Sequence, residues 1–385
     1  KADQSGLGIM VPVAAEIKKA VSIPVGAVTY MDPARDPEFF ESLIASGELD
    51  FILMNRPLSV DYDYLHKLEE GRIDEIRPCT RCMHCHWDAA DDGNLTFSCR
   101  TNAAHPFRFV TGQLTGSYDP EPAATAKNVV VVGAGPAGLE AARVAAERGH
   151  SVTLYEKKGS VGGLLEFANN VKGPHENLSV LRSYFERQME VLGVNVMLNT
   201  EATADIIAEA SPDIVIAATG GVRDTLGLSD TAGTKVVGID DFMMADIAEE
   251  VVIVGSNVQA IDAAMHLLAQ GKHVQVVTPN AASAIGAGHS FWVKTFTQPN
   301  MKALGVRFWP EATVTAVNDG SVTVKTATGI EQEIACGTVV EALDCLPNDN
   351  LSTGLSCEVV TVGDAARPFN IGEAICSGNA AARAI

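Results

Sequence analysis

Residues 129–156 read VVVVGAGPAGLEAARVAAERGHSVTLYE. An apolar run rich in valine, a glycine turn, an Ala-rich helical stretch and a second β-rich run make one βαβ unit of the Rossmann type. The turn is Gly133-Ala134-Gly135-Pro136-Ala137-Gly138. Gly133 permits the tight bend, Gly135 lets a pyrophosphate approach the backbone, and Gly138 lets the helix pack against its strand. The helix starting near Pro136 aims its free N–H groups and positive dipole end at the same place. Glu156 ends the second strand, 23 residues after Gly133, where an acid accepts hydrogen bonds from ribose hydroxyls.

The unit is repeated. Residues 251–278 read VVIVGSNVQAIDAAMHLLAQGKHVQVVT and align with 129–156 without a gap, Gly133 on Gly255, Gly138 on Ala260, Gly149 on Gly271 and Glu156 on Thr278. A second dinucleotide fold nested inside the first is the arrangement of flavoprotein reductases. The second copy is degraded: Asn257 replaces the middle glycine, Ala260 the packing glycine, and Thr278 the acid. Two readings stand side by side. One is an NAD(P)H site in which Thr278 tolerates a 2′-phosphate. The other is a retained fold that no longer binds nicotinamide.

Three further features point the first copy to FAD. Gly162-Gly163 follows shortly after Glu156. Ala218-Thr219-Gly220-Gly221 follows the strand predicted over 213–217, as a crossover back to the first domain does. A strand over 359–364 ends in Gly363-Asp364 before an Ala-rich helix over 371–385, and an Asp so placed contacts the ribityl or pyrophosphate part of FAD.

The rest of the composition bounds the class. A chain of 385 residues has room for two or three cores, and 46% hydrophobic residues mark it as folded. With 28 basic against 48 acidic residues its formal charge is −20, a poor match for nucleic acid or an anionic membrane surface. No apolar run is long enough to span a bilayer, and no secretory leader is recognisable. The chain opens at Lys1, and we expect it to be part of a longer polypeptide in a reducing, cytoplasmic compartment.

Cys79, Cys82, Cys85 and Cys99 fall in a Cys-x2-Cys-x2-Cys-x13-Cys pattern. Three thiolates at every third residue can wrap one face of a polyhedral cluster, with the fourth closing it from a later loop, which suits [4Fe–4S]. Zinc, which more often uses two separated CxxC knuckles, is the alternative. Upstream, helical patterns over 13–20, 37–46 and 62–70 alternate with short apolar strands over 23–28 and 50–54. Two βα units cannot cover a parallel sheet on both faces. They read either as a small autonomous α/β domain or as the last quarter of a (β/α)8 barrel.

Together these residues resemble the iron–sulfur flavoproteins of the old yellow enzyme class: 2,4-dienoyl-CoA reductase, enoate reductase and trimethylamine dehydrogenase. The likeness is carried by Leu53-Met54-Asn55-Arg56-Pro57-Leu58, by residues 71–79 (GRIDEIRPC), by the cysteine spacing and by Val131–Gly138. It implies an α/β chain divided into the end of an FMN-binding barrel (1–76) and a [4Fe–4S] segment with linker (77–126). An FAD domain (127–235 and 345–385) and a second, NAD(P)-type domain (236–344) complete it. It further implies that Thr29, Tyr30, Asn55 and Arg56 meet the FMN phosphate, Arg56 as its ion partner. Electrons would pass among FMN, the cluster and FAD. NAD(P)H-dependent reduction of an activated C=C bond is the first reading, favoured by Gly286-Ala287-Gly288. An amine dehydrogenase or demethylase serving an electron-transfer flavoprotein is the second, favoured by the cysteine spacing and the degraded repeat. A non-catalytic electron-transfer subunit is the third. The family's substrate pocket and proton donor lie on earlier barrel strands, so no catalytic residue is named in this chain. The substrate is a small molecule, and homo-oligomerisation is left open.

Overall fold

The computed structural model describes residues 6–86, 99–105, 116–173, 176–289, 291–348, 350–351 and 355–385. The segment 87–98 between the third and fourth cysteines, and residues 111–115 of the linker, lie outside the described residues.

Five parallel strands form the first sheet in the order Glu358–Thr361, Ile214–Ala217, Asn128–Val132, Ser151–Tyr155, Asn195–Met197. Its central valines are buried on alternate faces. Val129 and Val131 pack with the helices Pro136–Glu147 and Ile371–Ala384, and Val130 and Val132 with Ile207 of the helix Ala204–Glu209. Cover on both faces is what turns the sequence into unbroken apolar runs rather than an alternating pattern. The chain leaves this sheet through Val222–Arg223 and re-enters it through Cys345–Leu346, which pair antiparallel.

Between those two passages lies the second sheet, also five parallel strands: Arg307–Trp309, His273–Val277, Glu250–Val254, Thr338–Glu341, Lys235–Gly238. Val251 and Ile253 face the helix Val258–Ala269. Val252 and Val254 face an antiparallel meander of Ala312–Asn318, Ser321–Thr326 and Glu331–Ala335. In each sheet the strand order reverses beside the glycine-turn strand, so each has a crevice at the carboxyl ends of its strands.

The first 76 residues contribute two parallel strands rather than a closed barrel, and each is shorter than its apolar run. Only Gly26–Ala27 and Phe51–Ile52 pair. Each has a single neighbour, and Val28, Phe51 and Leu53 stay about half exposed at 56%, 45% and 48%. The helix expected over 62–70 is found as Tyr64–Glu69, and a separate short helix, Arg56–Val60, precedes it with Asp61 between them. Asp61 is extended, and its carboxylate accepts the Arg77 N–H at 2.8 Å and Lys67 Nζ at 2.8 Å, bonds a helical residue there could not make.

A buried ionic group joins this part to the first sheet's main helix. Glu140, fully buried, receives Arg77 at 3.2 Å, Arg143 at 2.9 Å and Asn379 Nδ2 at 2.8 Å, and the Arg77 guanidinium lies 5.0 Å over the Tyr184 ring. Burial works against the Glu140 charge, but the Arg143 and Arg77 guanidiniums overcome it and hold its pKa down at about 2. Its contribution is therefore complete above the ordinary carboxylate range and is lost as pH falls toward about 2. Glu140→Gln leaves the Arg77 guanidinium buried without a counter-charge and Arg143 with Glu147 alone, and we expect it to lose about 3–5 kcal/mol at pH 7. Urea unfolding should show that deficit shrinking as the pH is lowered below 4.5; equal midpoints at pH 7 would contradict it.

Candidate functional site

The turn after Asn128–Val132 is shaped by contacts only glycine permits. A Cβ on Gly133, which has φ of 100°, would sit 2.3 Å from the Ala218 carbonyl oxygen; one on Gly138 would sit 1.9 Å from that of Gly133. Gly135 is different. Nothing lies within 4 Å of its missing side chain, so this stretch of backbone opens on the crevice. It precedes the Pro136–Glu147 helix, whose N-terminus has no side-chain cap. Gly163 (φ 53°) closes over it, its added Cβ 3.1 Å from the Gly135 Cα, and the Gly162 N–H donates to the Ala134 carbonyl at 2.8 Å.

A crevice of about 970 Å³ begins at this turn. Gly133, Gly135, Pro136 and Ala137 line it with Glu156, Gly163 and Asp364. Ala134 is fully buried and Gly138 lies inside the helix, so those two shape the turn from behind. The Glu156 carboxylate accepts the Ala134 and Lys158 N–H groups, each at 2.8 Å, which fixes its side chain at the crevice wall. Gly363 (φ 63°) brings Asp364 to the opposite wall, where burial pushes the carboxyl pKa upward. A cradle left open at Gly135, an uncapped helix N-terminus and an acid at the end of the second strand fit the diphosphate and ribose of an adenine dinucleotide.

The crevice runs on to Cys82, His84 and Arg100. Cys79 and Cys99 are buried beside Val60, while Cys82 and Cys85 are partly exposed. Among the described residues no three Cys, His, Asp or Glu side chains converge as a metal-ion site. Cys82 is nevertheless an electrostatic neighbour of Cys79, Cys85 and Cys99 alike. Burial pushes the Cys79 thiol up to about 12 and Cys85 to about 11, each opposed in part by Arg56. Burial favours the thiol form of Cys79, Cys85 and Cys99; such thiols ionise when a cation is bound among them, and with Cys82 they make a donor set that suits a sulfur-loving cluster.

The four residues expected to meet an FMN phosphate lie apart from the first turn, with Tyr30 and Arg56 against the cysteine segment. Thr29 and Tyr30 both have left-handed backbones, φ 81° and 50°. Tyr30 is buried, with the Arg81 guanidinium 3.7 Å from its ring centre and its hydroxyl hydrogen-bonded to Asn177. Thr29 and Asn55 are exposed. Arg56 turns toward the cysteine segment, with Nη1 3.4 Å from Met83 Sδ.

One set of functional neighbours was not read from the sequence. Arg100, next to Cys99, pairs with Glu176; Lys172 bridges Glu176 at 3.3 Å and Asp262 at 2.8 Å; His289 Nε2 lies 3.1 Å from Asp262. All five line the crevice, and together they run from the cysteines to the second sheet's helix. Burial resists the Asp262 charge, but Lys172 and His289 hold its pKa down at about 2. In the second repeat, Thr278 is fully buried and its hydroxyl donates to Ser256 Oγ at 3.0 Å. Thr278 thus packs against the second turn from the end of its strand.

Two strand–turn–helix repeats, two nested parallel sheets and a shared crevice define a flavoprotein-type oxidoreductase with paired dinucleotide folds. Residues 127–363 match the model of the pyridine nucleotide-disulphide oxidoreductases, and the chain belongs to that family. Within it, relatives named reductases and dehydrogenases support the group that includes 2,4-dienoyl-CoA reductase and trimethylamine dehydrogenase. An NADH oxidase of Thermoanaerobacter brockii is 37% identical over 276 residues, 70% of this chain and 41% of the relative. A cinnamate reductase of Clostridium sporogenes is 34% identical over 272 residues, 70% of this chain and 39% of the relative. A solved 2-naphthoyl-CoA reductase superposes with a TM-score of 0.85 at 30% identity, over 98% of this chain and 57% of its own. The chain thus spans well under two thirds of the length of these relatives.

The geometry of the first turn makes a direct prediction. Gly138→Ala drives a methyl group into the Gly133 carbonyl, and the protein should lose its 450 nm flavin absorbance on gel filtration. Full flavin retention in that variant would show that the turn does not hold the cofactor.

Proposed function

We propose that the chain is the electron-entry part of an iron–sulfur flavoprotein that uses NAD(P)H to reduce an activated C=C bond. The observation that carries this is the single crevice shared by the Gly133–Gly138 turn, the cysteine segment and the second repeat. When bound, FAD exchanges electron pairs with a nicotinamide, and a [4Fe–4S] cluster passes them on singly toward FMN.

The residues of the chain position these groups. Gly133, Gly135 and the N-terminus of the Pro136–Glu147 helix receive the diphosphate of FAD, with Ala134, Pro136, Ala137 and Gly138 fixing the turn. Glu156 takes the adenosine ribose, and Gly163, Gly363 and Asp364 close on the diphosphate and ribityl. Cys79, Cys82, Cys85 and Cys99 ligate the cluster. Thr29, Tyr30, Asn55 and Arg56 border the FMN phosphate, with Arg56 between it and the thiolates, where its charge favours both. The Lys172–Asp262–His289 group excludes bulk water from the flavin end of the crevice. In the division proposed, residues 1–76 end the FMN barrel and 77–126 hold the cluster. Residues 127–235 with 345–385 hold FAD, and 236–344 form the nicotinamide domain.

A second reading, oxidation of an amine with electrons passed to an electron-transfer flavoprotein, is favoured by the substituted turn at Asn257. Anaerobic stopped-flow of the full-length protein decides between them. Bleaching of the flavin by NADH or NADPH is expected; bleaching by neither, together with bleaching by a secondary or tertiary amine, would establish the second reading.

A further inference from the structure

The chain carries its own control: two copies of one turn, one open and one plugged. In the first, Gly135 leaves space and the helix N-terminus is uncapped. In the second, Asn257 takes the place of Gly135 by the repeat alignment. Its Oδ1 accepts the Ala260 N–H at 3.0 Å, capping the Val258–Ala269 helix. Its Nδ2 donates to the carbonyls of Ala342 (3.1 Å) and Leu343 (3.2 Å) and to Asp344 Oδ1 (3.0 Å).

Two close contacts of the first turn are kept in the second. Gly255 has φ of 132°, and a Cβ there would lie 2.0 Å from the Ala342 oxygen, as Gly133 lies against Ala218. The Gly286 N–H donates to the Ser256 carbonyl at 2.7 Å, as Gly162 does to Ala134. Asn257 and Asp344 both line the crevice. Asn257 has an extended backbone (φ −71°, ψ −177°) that imposes no glycine-like strain, so the residue is held there by its side-chain bonds.

We infer that Asn257 is the affinity-determining residue of the second dinucleotide site. Its carboxamide occupies the pyrophosphate position, so a nicotinamide nucleotide binds only by displacing it. A pyrophosphate needs the N–H groups at this helix end and room over the middle residue of the turn. Here the side chain takes one N–H, fills the room and holds the Asp344 carboxylate beside the position the phosphates would take. The carboxamide's hydrogen bonds must be exchanged and a like charge approached before a nucleotide is seated. The outcome is a weak, readily exchanged nicotinamide site beside a tight flavin site, built from the same motif. This rests on the reading of the second repeat as the nicotinamide domain.

Calorimetric titration of the flavin-loaded, full-length protein with NAD+ and NADP+ tests it, because the oxidised nucleotides bind without reducing the flavin. Asn257→Gly keeps a tolerated helix cap and should bind both at least about tenfold more tightly, the factor that about 1.4 kcal/mol represents. Asp344→Asn removes the opposing charge without touching the cap and should also tighten binding. Unchanged or weaker binding in both variants overturns the inference, as does absence of binding in all three proteins. Should NADH and NADPH fail to bleach the wild-type flavin while Asn257→Gly binds nucleotide, the reductase reading fails and the inference stands.

Discussion

Two buried guanidinium–carboxylate contacts bracket the cysteine segment and hold it on the first dinucleotide fold. Arg77, two residues before Cys79, reaches Glu140, and Arg100, directly after Cys99, reaches Glu176. Asn177 adds a hydrogen bond to the Cys79 carbonyl and another to Tyr30. The described residues next to Cys79 and Cys99 belong to no strand ladder that would place them. Their position is set by these side chains, and with it the distance from the thiols to the crevice. Buried ion pairs add little net stability compared with apolar packing, but losing one partner is costly, which makes them effective at fixing a single arrangement.

The same economy governs the two repeats. The close approaches of Gly133 and Gly255 to the crossover carbonyls fix where each sheet opens, and the residue two positions later decides what the opening accepts. Gly135 leaves the helix end to a ligand, whereas Asn257 supplies the helix end with its own carboxamide. One fold thereby provides a site meant to keep its nucleotide and another meant to release it.

The parts of this architecture that depend on local sterics were legible in the sequence. The glycine turns, the 28-residue repeat and the nesting follow from residue types that only one backbone conformation accommodates. The short strands near the N-terminus were read too long, because pairing depends on neighbours that an apolar run does not reveal. Glu140, Lys172 and Asp262 gave no signal at all. A charge in a helix ordinarily reads as a solvated face, and only the fold brings Arg77 to Glu140, and Lys172 and His289 to Asp262, from distant segments.

The account depends on the four thiols at the crevice end acting as ligands of an iron–sulfur cluster. Chemical analysis of the anaerobically purified full-length protein, with electron paramagnetic resonance after dithionite reduction, tests this most directly. About four iron and four sulfide per chain and a low-temperature signal are predicted for Cys₄ ligation. A preparation that carries zinc alone and stays silent on reduction would contradict it.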